Sequence, residues 1–212
     1  MNHIYGDNLH PEIIRRASEI PKFLSKRQQL TLEDLDLMWE ASSGKHESVK
    51  HLMQQALTDL SGSLVVEQAE YLYQKLRSLS FADWDLVTMN LFRSLCLRCL
   101  NHGGTGDREH YHGFDIAWDL VQDETETTET AREQAFLFVR DFLRWDVCQR
   151  VREPMMTRCC QNLEQSKSIP SSLRILQDAF CTYSAVPLLI QQYTNSRRSL
   201  SLSLSLSRSL NQ

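Results

Sequence analysis

Apolar residues recur at spacings of three and four along most of the chain, which is the period of an amphipathic helix. The first such segment covers residues 7–28, where Asp7 or Asn8 can cap a helix and Pro11 suits its first turn. Pro21 falls inside the segment and lacks a backbone N–H, so we expect it to kink or split the helix. The apolar positions are Ile13, Ile14, Ala17, Ile20, Phe23 and Leu24.

The motif TLED predicts a second helix start. The hydroxyl of Thr31 and the carboxylate of Asp34 can each accept from a free backbone N–H, which is the pattern of a capping box. Gly44 is the expected stop, and Lys45 and His46 are expected to begin the next helix. The apolar stripes of the two helices are Leu35, Met38 and Trp39, then Val49, Leu52, Met53, Ala56, Leu57 and Leu60.

The same alternation of helix and short break continues to about residue 183. Residues 101–113 hold three of the seven glycines and are the clearest loop, while residues 123–130 form an acidic, threonine-rich linker. The remaining predicted helices lie within residues 65–79 and 83–100 and cover about 114–122, a segment from near Ala131, 147–166 and 170–183. No strand pattern precedes residue 185, so the sequence predicts an all-α array of helical hairpins, with about nine helices in a repeat segment 1–184.

One internal similarity favours a repeat. Leu35–Ala41 and Phe114–Leu120 share an acid, apolar residues and a tryptophan, and Trp39 and Trp118 lie 79 positions apart. Armadillo and HEAT units are about 40–47 residues long, so this spacing is close to two units. Chance similarity between two amphipathic helices explains the match equally well, and both interpretations stay open.

Residues 185–212 differ from the rest because they end in strict Ser-Leu alternation. A period of two is typical of a strand, but such a segment offers little core, and we expect a disordered tail. Alternating Leu and Ser also match a translated CTCTCT-type repeat, as in a truncated gene model. Transcript reads that continue beyond the repeat would support truncation.

Composition narrows the class of protein. Hydrophobic residues make up 42% of the 212 residues and charged residues 24%, with a net charge of −4, which favours neither nucleic acid nor an anionic membrane as partner. No stretch approaches the ~18 apolar residues of a membrane span. The N-terminal residues lack an export-signal pattern, so six reduced cysteines in the cytoplasm or nucleus are expected.

Cysteine and histidine offer the main candidates for chemistry. Cys96 and Cys99 form a CxxC upstream of His102, His110 and His112, but the spacing fits no standard zinc finger and the cysteines lie in a helical pattern. The other cysteines, Cys148, Cys159, Cys160 and Cys181, also lie in helical patterns, without the glycine-rich turn that exposes a nucleophile. Burial on an amphipathic helix explains Cys96 and Cys99 better than metal binding, and none of the other four is favoured as a nucleophile.

Charged and aromatic clusters have similarly plain interpretations. Glu33 and Asp34 fit the first turn of a helix, where the dipole favours acids, and Asp36 is expected to face solvent. A solvated face explains Lys45, His46 and Lys50 better than a binding patch. The four tryptophans, Trp39, Trp84, Trp118 and Trp145, lie beside acids and are expected to be half-buried anchors on helix faces. We assign no catalytic, cofactor-binding or metal-ligating residue.

Four helix-length phrases, at residues 7–20, 30–50, 111–124 and 156–180, resemble the long helical region of the giant ubiquitin-specific proteases, the fat-facets-like group. The resemblance covers about residues 1–183 and implies an armadillo/HEAT-like solenoid outside the catalytic domain. That family's cysteine box, similar to NLGxTCYxN, and its later histidine box near GHY do not occur here, and EHYHG is too short and wrongly ordered. The resemblance therefore transfers no catalytic residue.

The resulting expectation is a non-catalytic scaffold segment, monomeric and part of a larger deubiquitinating chain. Its expected partners are proteins, either ubiquitinated substrates or regulators, with no cofactor, nucleic acid or membrane. The alternative is a stand-alone armadillo/HEAT adaptor unrelated to ubiquitin. A second alternative places a cryptic enzyme site around Cys96–His112.

Overall fold

The computed structural model describes residue 5 and residues 10–42, 46–102, 113–144 and 149–182, and helices dominate these parts of the chain. In chain order the elements are α1 Pro11–Ala17, α2 Glu19–Lys26, α3 Leu32–Glu40, α4 Glu47–Ser61, α5 Val66–Arg77, the 3-10 helix η1 Phe81–Asp83, α6 Leu86–His102, α7 Phe114–Val121, α8 Glu129–Arg144, α9 Gln149–Glu164 and α10 Ile169–Thr182. These ranges contain no strand, which agrees with the all-α prediction. The expected number of helices was about nine, and the described ranges hold ten α-helices.

Pro21 explains why the first predicted helix is two helices. The helical hydrogen bonding is interrupted at Ser18, three residues before the proline, and α2 then begins at Glu19. Pro21 thereby occupies the third position of a new helix, where its missing N–H breaks no bond. The predicted split is confirmed.

The capping box of α3 forms as predicted. Asp34 N–H donates to Thr31 Oγ1 at 3.2 Å, and Thr31 N–H donates to Asp34 Oδ2 at 3.2 Å. The helix ends at Glu40, while the expected stop at Gly44, and Lys45 after it, lie outside the described residues. His46 precedes α4, and its Nδ1 accepts from Ser48 N–H at 3.3 Å.

Replacing Thr31→Ala should lower the free energy of unfolding by about 1 kcal/mol, because Asp34 N–H at the start of α3 loses its hydroxyl partner. Urea titration followed by circular dichroism measures the change. Thr157→Ala, at an exposed position inside α9, is the matched control and should be neutral or slightly stabilising because alanine favours helix. Equal losses in both variants would contradict a role for the cap.

The chain divides between Phe142 and Leu143 into two compact units. In the first unit α4 packs against α1, α3 and α6, and α5 packs against α3 and α6. Towards α8 the core becomes aromatic. The ring centroid of Phe138 lies 5.4 Å from that of Phe92 and 4.8 Å from that of Phe142. The core is therefore continuous through consecutive helices.

The acidic linker after α7 is fixed to the element before α6. Thr127 Oγ1 donates to the carbonyl of Phe81 at 3.0 Å, and Thr128 Oγ1 donates to the carbonyl of Trp84 at 2.9 Å. Thr128 Oγ1 also accepts from Ala131 N–H at 3.1 Å, which caps α8. Threonine hydroxyls thus anchor the start of α8.

In the second unit α9 and α10 pack against each other. Their shared core includes Met155, Cys159, Ile175 and Ala179, all at most 2% exposed. Asn162 Nδ2 donates to Ser172 Oγ at 3.1 Å across the pair. Within the described parts of the chain no helix is long and apolar enough for a membrane span. The predicted tail, 185–212, lies outside those parts.

Candidate interaction surface

The two cysteines of the CxxC motif lie in the core. Cys96 and Cys99 belong to α6 and are 0 and 1% exposed, and burial raises the pKa of the Cys96 thiol well above its ordinary value. A thiol in that condition is a poor nucleophile and a poor metal ligand. His110, His112 and the side chain of His102 lie outside the described residues, so the prediction that no zinc site forms here stays a prediction.

The remaining described cysteines belong to the second unit. Cys159 is buried, Cys160 is half-buried and Cys181 is exposed, and burial raises the pKa of Cys159 to about 12. Cys148 lies outside the described residues. Across the described ranges no group of three or more His, Cys, Asp and Glu side chains is placed to hold a metal ion.

Asp36 does not simply face solvent, as the sequence had suggested. Its Oδ1 accepts from Tyr71 Oη at 2.6 Å and from Lys75 Nζ at 2.7 Å, and both donors lie on α5. Hydrogen bonds from Lys75 and Tyr71 lower the pKa of Asp36. Glu33 and Asp34 do lie in the first turn of α3, as predicted. One acid of the cluster therefore joins two helices and the other two stabilise a helix start.

Trp84 also departs from the sequence prediction. It is 0% exposed and follows η1 rather than lying on a helix face, and its ring meets Phe92 edge-on at 5.3 Å. Trp39 and Trp118 do lie on helices, α3 and α7, but each is only 8% exposed. Trp145 lies outside the described residues. The tryptophans described here are core residues, not half-exposed anchors.

A polar chain links α4 to the start of α6. His51 Nε2 lies 2.8 Å from Asp85 Oδ2, and Asp85 Oδ1 accepts from both the N–H and the hydroxyl of Thr88 at 2.7 and 2.8 Å. Gln54 Nε2 then donates to Thr88 Oγ1 at 3.2 Å in a buried position. Burial alone would raise the pKa of Asp85, but hydrogen bonds from Thr88 and His51, with the charge of Lys50, lower it.

Replacing Asp85→Ala should cost about 1–2 kcal/mol of unfolding free energy, because α6 loses its cap. Asp85→Asn keeps a capping oxygen and removes only the charge. The folded-state pKa of Asp85 is depressed. The charge of Asp85 therefore stabilises the fold at pH values above the unfolded-state pKa of about 3.9, and this stabilisation is lost as the pH falls below that pKa. The stability difference between wild type and Asp85→Asn, measured by urea unfolding, should thus be present at pH 6 and shrink below about pH 4. A difference that does not change with pH would contradict this account.

The polar links between helices have a common sequence spacing. Side-chain bonds between distant segments join residues 34 to 48 positions apart, as in His51–Asp85, Asp36–Tyr71 and Arg93–Asp141. Four further hydrogen bonds, from a side chain to a backbone carbonyl, fall in the same range: Ser25–Ser63, Gln68–Leu30, Arg98–Leu64 and Thr128–Trp84. Such a spacing is expected when each helical repeat bonds to the next one, and the range of separations brackets the armadillo and HEAT repeat length of about 40–47 residues.

Comparison with known proteins identifies this repeat. The family model of the UBP24/USP9X/USP9Y ARM repeat matches residues 1–210. The chain belongs to this armadillo-repeat family. Its fold is accordingly an armadillo-like all-α solenoid, which confirms the all-α prediction from the hydrophobic pattern and the solenoid that the resemblance implied.

Individual relatives of this armadillo-repeat chain are ubiquitin hydrolases. The probable ubiquitin carboxyl-terminal hydrolase FAF of Drosophila melanogaster is 36% identical over 192 residues, which are 85% of this chain and 7% of that protein. Ubiquitin carboxyl-terminal hydrolase 9Y of Homo sapiens is 34% identical over 123 residues, 56% of this chain and 5% of that protein. Ubiquitin carboxyl-terminal hydrolase 9X of Mus musculus is 35% identical over 71 residues, 33% of this chain and 3% of that protein. The chain therefore spans only a small part of the length of these relatives.

Proposed function

We propose that this armadillo-repeat chain is a non-catalytic scaffold segment of a deubiquitinating protein. Its helical surface would bind ubiquitinated substrates or regulators, or position a distant catalytic domain. The observation that supports this most directly is the family match over residues 1–210. Stacked helical repeats suit the role because each contacts its neighbours and leaves its outer faces available for binding.

The environment of two buried thiols, Cys96 and Cys159, supports a non-catalytic role. A thiol protease needs a cysteine with a lowered pKa beside a histidine, whereas burial raises the pKa of both Cys96 and Cys159. The described imidazoles already have structural partners: His10 and His46 accept from backbone N–H groups, and His51 bonds to Asp85.

A competition assay tests the scaffold role. Purified chain is added to full-length Drosophila FAF acting on two substrates, a mixed pool of ubiquitinated cell proteins and ubiquitin with a small fluorophore at its C terminus. If the chain binds substrate proteins, it should slow release of ubiquitin from the protein pool and leave the fluorophore reaction unchanged. The chain alone should cleave neither substrate.

The two readouts of this assay separate the possible errors. Cleavage by the chain alone would overturn the non-catalytic assignment. Absence of competition, or equal slowing of both reactions, would contradict substrate binding through this segment. The Phe92→Ala variant, whose core is expected to be disrupted, controls for nonspecific inhibition by added protein.

The alternative of an armadillo adaptor unrelated to ubiquitin is less well supported, because the relatives reported above are named as ubiquitin hydrolases. We also propose a cytoplasmic or nuclear location. Cys96, Cys159 and Cys181 are free thiols, as is usual in a reducing compartment. Imaging of the tagged chain would test the location.

A further inference from the structure

Helices α1 and α2 carry two apolar faces. One face is buried against the rest of the unit and includes Ile14 and Pro21. A second set of large apolar side chains is exposed, with Ile13, Ile20 and Phe23 at 44, 42 and 55% of their full accessible area. A helix that is apolar on opposite sides is usually packed between two neighbours, and the described chain supplies a neighbour on one side only.

The exposed side chains form one stripe. Ile13, Arg16, Ile20, Phe23 and Arg27 follow one another at spacings of three and four, and we call them the N-terminal stripe. Ser18, between the two helices, keeps right-handed helical dihedrals of φ −57° and ψ −24°, so the phase of the side chains carries over from α1 to α2. Residues at these spacings share a helix face.

The charge around this stripe is opposite to that of the whole chain. Residues 11–27 contain five basic and two acidic residues, whereas the net charge of the protein is −4. Glu12 pairs with Arg15 and Arg16 on its own helix, and Glu19 pairs with Lys22.

Two cations, Arg27 of the stripe and its neighbour Lys26, are available to a partner. Lys26 and Arg27 are exposed and face no carboxylate within the described residues, and Arg27 lies 5.4 Å from the centroid of the Phe23 ring. The helix dipole favours cations at the end of α2 but gives no reason for the exposed apolar groups beside them.

We propose that the N-terminal stripe docks an acidic amphipathic helix of a partner protein. Apolar side chains of that helix would cover Ile13, Ile20 and Phe23, while its carboxylates would pair with Lys26 and Arg27. Recognition of this kind combines an apolar anchor line with complementary charge. The inference rests on the proposed scaffold function and adds to it a surface and a kind of partner.

A protein helix suits this surface better than a lipid headgroup or nucleic acid. The apolar line follows two successive helices, which matches the length of another helix. In the described part of the chain, two cations of this surface, Lys26 and Arg27, have no acidic partner. The glutamates that flank the stripe and the overall negative charge disfavour an anionic membrane or a phosphate backbone.

The test uses a fluorescein-labelled synthetic peptide with the sequence of residues 31–42, TLEDLDLMWEAS. It is a suitable probe because it is acidic and carries its leucines, methionine and tryptophan at helical spacing. A second peptide of the same composition, permuted so that its apolar residues no longer share a face, is the control. Fluorescence anisotropy with the full chain measures both affinities.

The full chain should bind the ordered peptide at least tenfold more tightly than the permuted one. Ile20→Ser with Phe23→Ser should weaken binding at least tenfold, and Lys26→Glu with Arg27→Glu should weaken it similarly and remove most of its salt dependence. A peptide whose acids are replaced by lysine should bind the doubly Glu-substituted chain more tightly than wild type. Circular dichroism verifies that each variant is folded.

The matched control is Phe180→Ser, which removes another exposed ring, 44% accessible, from α10. It should leave peptide affinity unchanged. Equal binding of the ordered and permuted peptides would overturn the proposal, as would an equal loss in the Phe180→Ser variant. Stripe-dependent binding to phosphatidylcholine–phosphatidylserine vesicles without binding to the peptide would also overturn it, in favour of a lipid surface. The Ile20→Ser, Phe23→Ser double variant can also be added to the FAF assay. If it competes as well as wild type, the scaffold function stands, but the stripe is not the surface that docks substrates.

Discussion

Gly113→Ala should lower the free energy of unfolding by about 2–5 kcal/mol. Gly113 has φ +86°, where an L side chain costs about 1–2 kcal/mol. A Cβ there would lie 2.9 Å from Phe92 Cζ and 3.3 Å from Phe138 Cε1, and closer still to Cys96 Sγ. Overpacking of this kind adds about 1–3 kcal/mol. Its N–H also donates to Tyr73 Oη at 3.2 Å, so a shift of the backbone would break a buried hydrogen bond.

Gly62→Ala is the matched control for this prediction. Gly62 has φ −64° and nothing within 4 Å of an added Cβ, so alanine should be neutral or stabilising by about 0.4–1 kcal/mol. Urea unfolding of the two variants measures the contrast. Combining Gly113→Ala with Cys96→Ala should recover part of the loss, since it removes the sulfur that the new methyl group meets. If Gly113→Ala is as stable as wild type, the close packing described here is wrong.

Helix boundaries follow from sequence where the determining residues are neighbours. Thr31 and Asp34 cap α3 across three residues, and Pro21 splits the first helix within one turn. In both cases the residues and the backbone groups that they affect lie in the same segment. Local chemistry is sufficient to predict such features.

Asp36 and Trp84 were predicted wrongly because their environment comes from distant segments. Asp36 looks like a solvated helix residue until α5 brings Tyr71 and Lys75 beside it, 35 and 39 positions later. Trp84 lies between two acids, which favours exposure, but the rings of Phe81 and Phe92 enclose it. Repeat stacking decides both outcomes, and an amphipathic pattern carries no information about which repeat covers a given residue.

The candidate interaction surface was hidden in the sequence for a related reason. All six apolar positions of the first predicted helix looked like one stripe, yet Ile14 and Ala17 are buried while Ile13, Ile20 and Phe23 are exposed. An apolar pattern that covers much of a helix circumference predicts burial without saying which side a neighbour occupies. The surplus of basic residues at 11–27 was the one available signal, and it gains meaning only beside the exposed side chains.

Phe92 packs against aromatic rings from three other segments of the first unit. Its ring lies 6.3 Å from Tyr73 on α5, 5.3 Å from Trp84 before α6 and 5.4 Å from Phe138 on α8, measured between centroids. The side chain is 0% exposed. It therefore connects segments that belong to consecutive repeats.

Phe92→Ala should lower the free energy of unfolding by about 3–5 kcal/mol, because a buried ring is lost and a cavity remains among three other rings. Phe92→Leu fills most of that space and should cost less than half as much. Phe180→Ala removes an exposed phenylalanine, 44% accessible, and should change stability by no more than about 0.5 kcal/mol.

Hydrogen exchange can show where the Phe92 variant loses stability. Amide protection should fall in α5, α6 and α8 together, since one ring touches the packing of all three segments, and global unfolding in urea gives the magnitude. A loss of amide protection confined to α6 would mean that Phe92 stabilises only its own helix. Loss through all three would identify it as a joint between repeats, in an array where each unit depends on the one beside it.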